Sequence, residues 1–208
     1  APHLQHDDVL VLRVPARTPD RRRRLRLAVL RQPRAGGEYD VLQAPQGSAV
    51  RDARRVRGDR GRLASELGSH PVFEVELDGR RVAVAQAGVG APLAAGWLDE
   101  LITLGGRAFI AAGGAGILVP GLVIGHVIVP TAAIRDEGTS YHYAPADAVV
   151  APHPRALAAI DQVLSDAGVP HDRGLTWTTD AFFRETAAKV ARRRDQGCIT
   201  VEMEAAAM

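Results

Sequence analysis

The sequence predicts an α/β protein, a three-layer αβα sandwich around a central mixed β-sheet, with residues 1–208 forming a single domain. Three observations point there. Buried-strand patterns alternate with helix patterns along most of the chain, the arrangement that places helices on both faces of a sheet. An apolar fraction of 46% over 208 residues suits one sizeable globular core. Asp78-Gly79, set between two alternating runs, is a hairpin signature.

The elements follow in order. Val9 to Val14 reads as a buried strand, and Thr18-Pro19-Asp20 supplies an N-cap, a first-turn proline and an acid for a helix through Leu30. Residues 31–71 carry scattered Gly, Pro and Arg with little periodicity and read as an insertion. Val72 to Leu77 alternates, and Arg81 to Ala87 is the return strand of the hairpin. A helix with Pro92 in its first turn follows, with Leu93, Trp97, Leu98, Leu101 and Ile102 as its buried stripe and Gly105-Gly106 as its stop. Ala108 to Ala112 and His126 to Pro130 read as strands. Pro154 to Ala167 is a helix with Leu157, Ile160 and Leu164 inward, ended by Gly168. Leu175 to Thr179 is a strand, Ala181 to Arg194 a charged helix, and Ile199 to Val201 the last strand.

Charge narrows the function classes. The formal net charge is +2 with a pI near 9.1, because Lys189 is the one lysine among 26 basic residues and arginine stays protonated far above neutrality. The arginine clusters at 21–26 and 51–62 lack interleaved aromatics and no nucleic-acid-binding motif accompanies them, so nucleic acid is not an expected partner. No apolar run reaches the roughly 18 residues that span a bilayer, and Ala1-Pro2-His3-Leu4 lacks the basic and apolar regions of a signal peptide. A cytoplasmic protein without a membrane partner is expected. Cys198, alone, allows neither an internal disulfide nor a metal cluster.

The chemistry concentrates where strands end. Cys198 to Val201 runs into Glu202-Met203-Glu204 and then an alanine run. Carboxylates at the carboxyl end of a strand lie on the rim where α/β proteins bind ligands. One of them could accept both hydroxyls of a vicinal diol such as a ribose, with a thioether against the sugar face. A first-turn glutamate favoured by a helix dipole is the plainer alternative. Gly88-Val89-Gly90 and Gly113-Gly114-Ala115-Gly116 also follow strands. Convergent backbone N–H groups there could hold an anion, or the glycines could serve φ > 0 alone. Neither completes a P-loop or a dinucleotide fingerprint. Ile134 to Tyr143 is polar and aromatic-rich, either a substrate loop or a solvated turn. In Trp177-Thr178-Thr179-Asp180-Ala181-Phe182-Phe183 the aromatics could stack on a planar base, although one phenylalanine is expected in the core.

Taken together, Gly88-x-Gly90, Gly113-Gly114-Ala115-Gly116, Asp136 to Tyr143, Trp177 to Phe183 and Val201-Glu-Met-Glu-Ala resemble, in order, the motifs of the nucleoside phosphorylase superfamily, which includes purine nucleoside and uridine phosphorylases and related nucleosidases. The likeness covers roughly residues 68–208. Pro2-His3-Leu4 is similar to the N-terminus of hexameric purine nucleoside phosphorylases, and Thr18-Pro19-Asp20-Arg21 to their phosphate loop. The resemblance implies that Glu204 binds the ribose 2′- and 3′-hydroxyls with Met203 against the sugar. Glu202 would line the base or ribose side. Phe182 would stack on the base, and Thr178 and Thr179 would line its pocket. His3 would hold the ribose 5′-hydroxyl in a neighbouring subunit's site, implying a homo-oligomer, a dimer or a hexamer. Arg21, Gly88, Gly113 and Gly114 would face phosphate. Neither a metal nor an organic cofactor is expected, and inorganic phosphate would be the co-substrate.

The departures from the family pattern are specific. Its arginine before the second glycine turn falls on Ala111, the Ser/Thr of that turn on Gly114-Ala115, and a partner-supplied arginine near Ser69. The Gln and Arg that read uracil fall on Thr186 and Ala188, which favours a purine or modified base. After Glu-Met-Glu the family adds a helix, a strand bearing the acid that protonates the leaving base, and a final helix. A tail of about 40 residues beyond Met208 is expected to supply them, since a core strand would otherwise be left unpaired. The sequence thus predicts phosphorolysis of a nucleoside to free base and ribose 1-phosphate. Hydrolysis of the same bond by water is the alternative, and a non-catalytic nucleoside-binding relative the third reading.

Overall fold

A computed structural model describes residues 9–13, 56–65, 68–77 and 80–208 apart from residue 124. The helix expected over Thr18–Leu30 lies outside the described residues, as do His3 and Arg21. The chain divides into two compact units, Ala1–Gly88 with Trp97–Gly114, and Val89–Gly96 with Ala115–Met208.

The first unit carries a five-stranded antiparallel sheet of order β2-β3-β4-β1-β5, with β1 Val9–Arg13, β2 Val56–Ser65, β3 Gly68–Leu77, β4 Arg80–Ala85 and β5 Ala108–Ala112. The β3–β4 hairpin is the one expected from Asp78-Gly79. The reading of 31–71 as an insertion fails from Val56 onward, where β2 pairs with β3 along its length. Val-Arg-Gly-Asp-Arg-Gly-Arg has no apolar period, and two register shifts between Arg57 and Gly61 interrupt the ladder, so pairing with β3 and the burial of Leu63, not a sequence period, mark this strand. Leu63, Val72, Val82, Val84 and Trp97 are buried in this unit, with the Trp97 ring packed at a tilt of 53° against His70, centroids 4.7 Å apart.

Helix α1, Ala91–Thr103, begins at Gly90, whose carbonyl accepts from Ala94 N at 3.1 Å, and ends at Gly105 with φ +102°. Of its expected stripe, Trp97 and Leu101 are buried, whereas Ile102 is exposed and the small Ala91, Ala94 and Ala95 are buried instead. The apolar pattern alone did not separate a buried alanine from an exposed isoleucine.

The second unit holds a mixed four-stranded sheet of order β6-β9-β8-β7, built from β6 Gly116–Ile117, β7 Val127–Asp136, β8 His171–Thr179 and β9 Cys198–Glu202. β7, β8 and β9 are parallel and β6 antiparallel to β9. The α/β class is therefore the one expected, but the described strands divide between two sheets rather than joining one central sheet. Local periodicity locates strands without specifying which of them exchange hydrogen bonds. Parallel neighbours require crossovers, and α2 Pro154–Asp166 and α3 Ala187–Asp195 supply them, in contact with β7 and β9 respectively.

Local chemistry sets the boundaries. His153 Nδ1 caps α2 by accepting from Arg155 N at 3.2 Å, and Gly168 at φ +66° follows its end. α3 begins six residues later than expected because Thr186 Oγ1 is its N-cap, accepting from Lys189 N at 3.4 Å. β7 runs six residues past Pro130, which sits at a register shift in an edge strand, where a missing N–H is tolerated. Leu118, Trp177, Cys198 and Val201 form the core, flanked by Ile134, Leu175 and Val190. Gly174 leaves room for Ile199 across the ladder; a Cβ there would meet Ile199 Cγ1 at 2.5 Å.

Candidate functional site

The parallel register aligns the carboxyl ends of three strands: Asp136 pairs with Thr179, and Thr178 with Glu202. The chain leaves each end into a short 3-10 turn, Thr139–His142, Phe182–Arg184 and Ala205–Ala207. Polar side chains of Thr176 and Thr178, two apart on β8, share one face with the end of β9.

Glu202 is the hub. Its Oε1 accepts from Thr178 Oγ1 at 2.5 Å and Thr176 Oγ1 at 3.3 Å, and its Oε2 from the backbone N–H of Glu204 at 2.7 Å and of Ala205 at 2.6 Å. Thr178 Oγ1 in turn accepts from Ala206 N at 3.0 Å. Burial pushes the Glu202 carboxyl above its ordinary range, and the bonds from Thr178, Ala205, Glu204 and Thr176 offset only part of that rise. The effect is mechanical. Glu202 clamps the turn that carries Met203 and Glu204.

Glu204 is oriented from both ends. Its N–H is held by Glu202, its Oε1 accepts from Gly90 N at 2.6 Å, and its Oε2 lies 3.3 Å from Met203 N. Met203 and Glu204 are half-buried. A carboxylate fixed in this way beside a thioether has the components of a diol-binding group.

Two loops flank this rim. Glu137 accepts from Ser140 N at 2.9 Å and from the Ser140 hydroxyl, while Arg135 Nε donates to Ser140 Oγ at 2.8 Å. Arg135 also donates to the carbonyls of Pro145 and Ala144 and lies 4.0 Å above the Tyr141 ring. Asp180 Oδ2 accepts from Gly138 N at 3.1 Å, joining this loop to the next. On that second loop Phe182 and Phe183 pack together, centroids 4.2 Å apart, and are 52% and 89% exposed. The expectation that one of them is core is overturned. The 3-10 turn between Ala181 and the cap at Thr186 directs both outward, while Trp177 on β8 is fully buried.

The expected site residues distribute as follows. Glu202, Met203, Glu204 and Thr178 come together. Thr178 is fully buried with its hydroxyl engaged inside the protein, and Thr179 is 1% exposed with Oγ1 accepting from Ala181 N at 3.3 Å. Gly88, buried at φ +78°, and Gly113 and Gly114, both exposed, belong to the first unit. His3 and Arg21 lie outside the described residues. Among the described residues no three His, Cys, Asp or Glu side chains converge as metal ligands, and no helix is long and apolar enough to cross a membrane.

One cluster escaped sequence reading. Asp136 Oδ2 accepts from Trp177 Nε1 at 3.0 Å, Lys189 Nζ at 3.1 Å and Arg193 at 3.1 Å. Burial alone would raise the Asp136 carboxyl; the bonds from Arg193, Lys189 and Trp177 outweigh it and hold the group below its ordinary value. Neither spacing nor motif links residues 136, 177 and 193. The hydroxyl pair on β8 was more accessible, through its i, i+2 spacing beside a strand ending in acids.

The family model described as the phosphorylase superfamily matches residues 47–208. The chain is similar to uridine phosphorylase of Salmonella typhimurium, 32% identical over 121 residues, 57% of this chain and 48% of the relative. It is similar to uridine phosphorylase of Treponema pallidum, 37% identical over 102 residues, 49% and 40% of the two chains. It is similar also to guanosine phosphorylase of Halorubrum lacusprofundi, 28% identical over 148 residues, 71% and 61%. The chain spans about half the length of the curated relatives it matches.

Proposed function

Because the chain belongs to the phosphorylase superfamily, we propose that it cleaves the N-glycosidic bond of a nucleoside with phosphate, giving free base and ribose 1-phosphate, as a cytoplasmic homo-oligomeric enzyme. The observation that carries this reading is the Glu202-supported turn, which holds the Glu204 carboxylate beside Met203 at the strand rim. In it Glu204 takes the ribose 2′- and 3′-hydroxyls, and Met203 packs on the sugar. The C1′–N bond lengthens toward an oxocarbenium-like state, and a phosphate oxygen attacks C1′ as the base leaves. Fixed charge and positioning would supply most of the rate. Phe182, half-exposed, is the proposed stacking face for the base. Arg21, Gly88, Gly113 and Gly114 are the proposed phosphate contacts, and no metal or organic cofactor enters the scheme.

A purine or modified base is the proposed substrate. Thr186, at one of the positions where the family reads uracil, is engaged as the cap of α3, and Ala188 at the other has no polar group. Hydrolysis is the second reading, favoured by Ala111 and Gly114-Ala115 in place of charged and hydroxyl phosphate ligands.

A nucleoside panel incubated with and without phosphate tests both. Phosphate-dependent ribose 1-phosphate is expected, and phosphate-independent free ribose would replace phosphorolysis by hydrolysis. Glu204→Ala should lower turnover by at least about a hundredfold through lost transition-state binding. Activity within a few-fold of the parent protein would remove the sugar role.

A further inference from the structure

We propose that the backbone N–H of Gly90 is a positioning group for the Glu204 carboxylate, so that the second glycine of the Gly88-Val89-Gly90 turn serves the sugar half of the site and not the phosphate half. The inference rests on the nucleoside reading above. Gly90 N donates to Glu204 Oε1 at 2.6 Å across 114 residues of sequence, and both residues lie in the second unit. A bond this short to an ionised acceptor is charge-assisted, the strong class of hydrogen bond. Gly90 is also the N-cap of the 13-residue α1, so its N–H is one of the donors a helix start leaves without an intrahelical acceptor, next to the positive end of the dipole.

The backbone geometry requires glycine. Gly90 has φ +90°, and the nearest atom to a Cβ built there is Pro92 Cδ at 3.8 Å, so space is available and the conformation is the constraint. In that conformation the N–H donates to Glu204 Oε1. The other end of Glu204 is held by Glu202 at 2.7 Å. Rotation of the carboxylate is therefore restricted from its backbone and from its tip, and a diol would meet an acceptor whose orientation is already set. A phosphate using this N–H would have to displace a carboxylate already bonded to it.

Two measurements on the full-length enzyme test the proposal. Gly90→Ala, strained at positive φ, should raise the nucleoside KM about tenfold while the phosphate KM stays within about twofold. A raised phosphate KM with an unchanged nucleoside KM would overturn it. Should that variant not fold, amide NMR of the parent decides. The Gly90 N–H resonance should lie far downfield and exchange slowly, and in Glu204→Ala it should move upfield and exchange faster. A Gly90 resonance indifferent to Glu204→Ala would overturn the proposal. The nucleoside reading fails separately, through full turnover by Glu204→Ala.

Discussion

Glu202 engages both carboxylate oxygens inside the protein, one with two threonine hydroxyls and one with two backbone N–H groups. This division suggests what substitutions will do. A hydroxyl can donate or accept, whereas a backbone N–H can only donate. In Glu202→Gln the amide nitrogen can face the hydroxyls and the carbonyl oxygen the N–H pair, so kcat/KM is expected within about tenfold of the parent, at most about 1.4 kcal/mol of transition-state stabilisation. Glu202→Leu leaves those donors unsatisfied and should destabilise the fold by about 1–3 kcal/mol for each buried one. Steady-state kinetics and urea unfolding on both variants check this. A folded Glu202→Gln enzyme without activity would mean that Glu202 acts on substrate through its charge. At this scale the sequence exposed the acidic pair but not the division of roles within it. Glu202 and Glu204 are chemically identical, and only their neighbours assign one to support and the other to the rim.

At the scale of elements, Asp136 ties three together: it ends β7, bonds Trp177 of β8 and pairs with Lys189 and Arg193 of α3. Its carboxyl is held below the ordinary value of 3.8, so its stabilisation is present above that pH and is lost as pH falls through the lower folded value. Asp136→Asn should cost about 1–3 kcal/mol at neutral pH, because Lys189 and Arg193 lose the anionic partner that their charges face and one amide oxygen replaces a carboxylate. The difference between parent and variant should shrink as the solution is acidified below that ordinary value. Urea unfolding across the acid range reads it, and a difference that persists at the lowest pH would show that the charge of Asp136 is not what joins these elements. Most element positions were legible because capping and periodicity are local: Pro154, Gly168 and the Asp78-Gly79 sequence signature each point to an element boundary within a few residues. β2 and the tail of β7 were not, since a Gly- and Arg-rich strand and a strand continuing past proline are made by their partners.

At the scale of the molecule, the described chain comprises an antiparallel sheet in one unit and a mixed sheet with its crossover helices in the other. The resemblance assigns His3 to a neighbouring subunit's site, which makes the assembly part of the proposed enzyme. The full-length protein is expected to sediment as a dimer or larger. Co-expressing His3→Ala with Glu204→Ala should restore activity that neither variant shows alone, because mixed assemblies contain sites with both native residues. No recovery in verified mixed assemblies would confine each site to one subunit. By itself the sequence determined the α/β class, most strand and helix positions and the acidic rim at residues 202–204, all of which follow from local pattern and motif. Tertiary structure alone decided which strands pair beyond the β3–β4 hairpin, that Gly90 reaches Glu204, and that Asp136 gathers Trp177, Lys189 and Arg193. Those contacts join residues far apart in the chain, and no local propensity encodes them.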